Sequence, residues 1–218
     1  PARQEIARTL YARVEHAPIV SPHGHVDPRL FVQQEYDWGT PVDVFIIPHH
    51  YVFRMLYSQG VPLSSLGIPR RDGARAEADH RKIWQTFANH FHLFHGTPTS
   101  IWLRDAFERI FGVTAKLTSS SAMAVYDALE AKLQEPDVYP HRLYKRFNID
   151  ALCTTDGATS TLHHHRQIRA SGWDGDIRPT FRPDDVVKAG RPGWRDNLDA
   201  FSDLTSVDVV DYDSYLRA

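Results

Sequence analysis

Two short apolar runs, IVS at Ile19–Ser21 and the IDALC stretch from Ile149 to Cys153, have the length and make-up of strands, and the residues between them do not. From 28 to 147 the period is mostly helical: Ile83, Trp84, Phe87, Phe91 and Phe94 form one stripe, and Ala122, Tyr126, Leu129 and Leu133 another. A third run, Ile177 to Phe181, follows a helical segment that runs toward Gly172. This strand, helix, strand rhythm predicts parallel strands that carry their functional residues at the C-terminal ends. The expected fold class is therefore α/β, with a large helical insertion after the first strand. The first helix, with Ile6, Leu10 and Val14 at four-residue spacing, ends before Pro18. Residues 1–27 hold that helix and the first strand, 28–147 the insertion, and 148–218 the later βα units, all within one domain.

The first run leads into PIVSPHGHVDP. Strand side chains alternate with period two, so His23 and His25 leave the strand end on one side and could reach one metal ion. Gly24 between them permits close backbone approach, and neutral imidazole is a common zinc ligand. A polar turn explains the same residues equally well, and position favours the metal because α/β enzymes place their chemistry at strand ends. Asp27 shares their parity, but Asp-Pro more often starts a turn.

Other segments leave alternatives open. In PHHYVFRML, His50, Tyr51 and Arg54 fit a helix start where i and i+4 share a face, so His50 and Arg54 could face one anion. An ordinary polar helix start over a Phe53, Met55 and Leu56 core reads the same. Arg182, at the end of the third run, is placed to clamp a carboxylate or to pair with Asp184 or Asp185. The TTDG sequence at 154–157 ends the second run either as a polar turn or helix entry at Asp156 or as a source of hydrogen bonds at the rim, and Thr159 or Ser160 could cap the next helix. His163, His164 and His165 point about 100° apart on a helix and cannot converge on one ion. His165 falls on the packing stripe with Leu162 and Ile168.

Composition narrows the function classes. With 42% hydrophobic residues over 218 positions the chain can bury a core, and a net charge of −2 offers no footprint for nucleic acid or anionic membrane. The single Cys153, inside an apolar strand, excludes an internal disulfide framework and reads as a small buried hydrophobe rather than a nucleophile. No apolar stretch is long enough to span a membrane, so a cytoplasmic location is the default. GxGxxG, P-loop and GxSxG motifs are absent.

Five segments in order, PIVSPHGHVDP, HHYVFRMLYSQGV, HGTPTSIWL, LYKRFNIDALCTTDGATSTLHHHRQI and RPTFRPDD, together resemble the uronate (glucuronate) isomerase family of the amidohydrolase superfamily. The resemblance implies a metal-dependent-hydrolase-like (β/α)8 TIM barrel. It implies one divalent metal ion, usually Zn2+, held in part by His23 and His25, with His50 and Tyr51 beside the reacting sugar and Arg182 on the uronate carboxylate. The implied reaction interconverts D-glucuronate with D-fructuronate and D-galacturonate with D-tagaturonate through an enediol. The family often has Asp where this chain has His49, and Glu where it has His163. Family members are much longer, and the aspartate of their last barrel strand, a metal ligand and base, has no counterpart here. The chain is thus expected to be an N-terminal half that exposes strand edges and could form homo-oligomers. A metal-dependent hydrolase of the same superfamily and an inert partial barrel are the competing expectations.

Overall fold

The computed structural model describes residues 2–218, and its elements follow the chain as α1 (Ala2–Tyr11), β1 (Ile19–Ser21), α2 (Pro41–Phe45), α3 (His50–Ser58), α4 (His80–Asn89), α5 (Pro98–Asp105), α6 (Ala122–Leu133), α7 (Pro140–Arg146), β2 (Ile149–Gly157), α8 (His163–Ala170), β3 (Ile177–Arg182), α9 (Asp184–Val187), α10 (Trp194–Thr205) and α11 (Tyr212–Arg217). They divide into two compact units, one made of the residues up to Gln34 with Pro140–Ala218, the other of Glu35–Tyr139. The helical unit, Glu35–Tyr139, falls within the 28–147 block read from sequence. The turn Pro28–Phe31 and α7 belong with the sheet because Phe31 and Tyr144 are buried with Leu152, Ile168 and Ile177.

The sheet unit is built on three parallel strands in the order β1-β2-β3. Ile19 pairs with Ile149, Val20 with Ala151 and Ser21 with Leu152, with an irregularity between Ile19 and Val20. On the other side Leu152 pairs with Ile177, and the ladder continues to Gly157 opposite Arg182. Leu152 and Ile177 point toward α8, whose Ile168 packs on them. The Tyr144 hydroxyl ties this layer by donating to the Asp150 carbonyl (2.9 Å) and accepting from the Asp176 N–H (3.1 Å). Trp173 stacks on Phe31 with ring centroids 5.5 Å apart.

Three local expectations are corrected. TTDG is not a turn: β2 runs through Gly157, because Thr154 is fully buried and its hydroxyl is satisfied by Asp156 and His165. Neither Thr159 nor Ser160 caps α8, which starts one residue after Leu162, itself at φ 52°. The Ser160 hydroxyl instead accepts from the Leu162 N–H. Cys153 is half-buried rather than buried, since the strand face it occupies is not covered by α8. The amphipathic first helix forms but ends at Tyr11, and Ile6 and Leu10 on its apolar side, with Val14 in the turn beyond it, are each 60% exposed.

The helical unit assembles around the two stripes read from sequence. Ile83, Trp84 and Phe87 on α4 and Tyr126, Leu129 and Leu133 on α6 are buried, and the Trp84 indole N–H donates to the Ala122 carbonyl at 2.9 Å. Caps fix the starts. Thr40 and Asp43 form a capping box on α2, Asp79 accepts from the N–H groups of Arg81 and Lys82, and Thr97 precedes Pro98 on α5. From α5 the chain continues into a π turn, Ala106–Ile110.

Candidate functional site

Two imidazoles meet at the end of β1. His23 Nε2 and His25 Nε2 lie 3.2 Å apart, with rings at 89°. The two rings share a hydrogen bond at this distance, and two nitrogens each about 2.0–2.1 Å from one ion at a tetrahedral angle would stand about 3.3 Å apart, so a divalent cation in place of the shared proton needs little movement of either ring. Both side chains are exposed, which leaves room for further ligands. No group of three or more His, Cys, Asp or Glu suited to a metal occurs among the described residues. Two imidazoles therefore make at most half of a four-coordinate shell.

Asp27, which shares the histidines' parity, is engaged elsewhere. One of its oxygens accepts from the Arg29 N–H (2.9 Å) to cap the Pro28–Phe31 turn, and the other from Arg29 Nε (2.8 Å). These hydrogen bonds from Arg29 hold the Asp27 carboxyl below its ordinary value despite partial burial.

Arg182 ends β3, and its pairing with Gly157 places its side chain on the face shared by Thr155 and Thr180, away from α8. Its Nε donates to Asp184 Oδ2 at 3.1 Å, the surface pair that sequence offered as the alternative. The two terminal nitrogens have no partner among the described residues. Asp184 is also bonded by Lys188, and the two cations keep its carboxyl below the usual range, Lys188 having the larger effect.

In the helical unit, His50, Tyr51 and Arg54 are all exposed on the first turns of α3, over Val52 and Leu56, which are buried. Phe53 and Met55, expected in the core, are only half-buried. The His50 and Tyr51 rings lie 4.2 Å apart. Before them His49 occupies the N-cap position without a side-chain cap bond, its ring 5.1 Å from that of Trp102. Burial pushes the His49 imidazole down from 6.5 and the nearby His50 adds to this, while a bond with the Val44 backbone opposes it. A cleft of about 510 Å³ in this unit, lined by Phe91, His92, His95, Arg104 and Lys116 among others, contains none of these residues. Concavity therefore does not pick out His49, His50, Tyr51 or Arg54.

Sequence reasoning missed a polar network behind the rim. The Thr154 hydroxyl donates to Asp156 Oδ2 (2.6 Å) and accepts from His165 Nε2 (2.8 Å), so His165 is a hydrogen-bonded core residue rather than plain packing. The signal was present as two adjacent threonines closing an apolar strand, one for each face.

The family model for glucuronate isomerase (UxaC) matches residues 2–218. The chain belongs to the glucuronate isomerase family. It is 47% identical over all 218 residues to the uronate isomerase of Nostoc punctiforme and 46% identical to that of Brucella suis, covering 46% of each. The crystal structure of glucuronate isomerase from Caulobacter crescentus matches with a TM-score of 0.92 at 40% identity, over 100% of this chain and 45% of that one. Uronate isomerase from Thermotoga maritima matches with a TM-score of 0.83 at 28% identity, over 96% and 44%. The chain thus spans a little under half the length of these glucuronate isomerase relatives. Among the described residues no helix is long and apolar enough to cross a membrane.

Proposed function

We propose that the natural polypeptide carrying these residues is a uronate isomerase of the cytoplasm that interconverts D-glucuronate with D-fructuronate and D-galacturonate with D-tagaturonate. The observation that carries this reading is the unbroken family match from residue 2 to residue 218. In the same reading the three parallel strands are the first strands of a (β/α)8 barrel, and the helical unit is inserted after the first.

The reaction moves hydrogen between adjacent carbons. A base takes the proton on C2, the electron pair becomes the C1–C2 double bond of an enediol, and O1 gains a proton. Protonation of C1 and loss of the proton on O2 complete the ketose. A divalent ion, taken as Zn2+, would be held in part by His23 and His25 and would stabilise oxyanion charge on the sugar. The unpaired nitrogens of Arg182 supply the forked donor geometry that a uronate carboxylate accepts. Tyr51 and His50 present exposed groups that can hold or pass a hydroxyl proton, and Arg54 adds positive charge on the same face of α3.

The test is NMR observation of D-glucuronate incubated with the zinc-loaded natural polypeptide. Growth of D-fructuronate signals is the expected result. Hydrolysis of an ester, amide or lactone without isomerisation would instead select water activation by the same histidine pair.

A further inference from the structure

Gly24, the residue between the two histidines, is held against β2 from two directions. Its carbonyl oxygen accepts the Thr155 hydroxyl at 2.6 Å. A side-chain carbon at its Cα would stand 2.8 Å from the Cys153 carbonyl oxygen, closer than such atoms approach, so only glycine lets the peptide lie this near the strand. Thr154, the preceding residue, turns the other way and is pinned to α8 through His165. One face of β2 is thereby anchored to the layer behind it, and the other holds the histidine loop.

We propose that Thr155 is a positioning residue for the metal site: its hydroxyl, together with the bare Cα of Gly24, sets the Gly24–His25 peptide between the two histidines and so fixes the 3.2 Å approach of their Nε2 atoms. This rests on the reading of His23 and His25 as metal ligands. Working metal sites hold their ligands to within about 0.5 Å and 10–20°, and each imidazole nitrogen lies at the far end of a side chain that amplifies any rotation of its peptide. The hydroxyl that limits this rotation belongs to a different strand from the ligands, which makes the distance between their nitrogens depend on the β1–β2 register.

The experiment compares wild type, Thr155→Val, Thr155→Ser and Gly24→Ala in the natural polypeptide, measuring zinc affinity by chelator competition and the visible spectrum of the cobalt(II) form. Thr155→Val is expected to weaken zinc binding by about tenfold or more and to alter the cobalt spectrum. Thr155→Ser, which keeps the hydroxyl, is expected to restore both. Equal affinity and an unchanged spectrum for wild type and Thr155→Val would overturn the positioning role. Should Thr155→Val fail to fold, Gly24→Ala probes the same contact from the loop side, and undiminished zinc affinity there would overturn it as well. A wild-type protein that takes up no zinc would overturn the metal reading beneath it.

Discussion

Arg182 gives one N–H to Asp184 and keeps its two terminal nitrogens open, so its charge is oriented before any ligand arrives. Replacement by Met removes the fork without touching the histidine pair. We expect kcat/KM for a hexuronate to fall by the worth of a charged hydrogen-bonded pair, about 1.5–3 kcal/mol, or roughly ten- to a hundredfold, with zinc content unchanged by elemental analysis. Loss of zinc in step with activity would contradict the clamp. Trp84 offers a stability test at the same scale. It is fully buried, and its indole N–H is bonded to the Ala122 carbonyl, so Trp84→Phe should cost about 1–3 kcal/mol in a denaturant titration. The histidine pair was legible in the sequence because period-two alternation and an intervening glycine are local properties. The part played by Thr155 was not, because its bond reaches Gly24 across a register set by chain folding rather than by neighbours in sequence.

At the scale of elements, α3 starts on a residue that does not cap it. His49 is held neutral by burial, so its imidazole takes up a proton less readily in the fold than in the unfolded chain. Stability present above 6.5 is therefore lost as pH falls through that value toward the lower folded one. His49→Asn removes the titrating group and supplies a side-chain cap. Melting curves across this range should show a flatter acid limb for the variant, and identical limbs would assign the loss to other groups. Helices α4 and α6 were legible as stripes because each buries one face by its own periodicity. The extent of β2 was not: Thr154, Thr155, Asp156 and Gly157 have turn-like composition, and only pairing with Pro179, Thr180, Phe181 and Arg182 keeps them extended. The start of α8 was misplaced for a related reason, since the left-handed Leu162 has no sequence signature.

Over the whole molecule, apolar groups remain uncovered at the start of the sheet unit. Ile6, Leu10, Tyr11 and Val14 around α1, with Ile19 and Val20 on β1, are exposed, and β1 and β3 each present an outer edge. Made as a 218-residue polypeptide, the chain is expected to self-associate, with an apparent mass in light scattering that rises with concentration. A monomer at all concentrations would show that these faces tolerate water. Ile19 and its partner Ile149 are separated in the chain by the whole of Glu35–Tyr139. Synthesis proceeds at about 5–20 residues per second, so β1 leaves the ribosome many seconds before its only neighbour in the described sheet exists. During that interval Glu35–Tyr139 can fold on contacts of its own. Within the described sheet the first strand thus waits longest for its partner, and at three residues it offers little edge for a wrong one to seize.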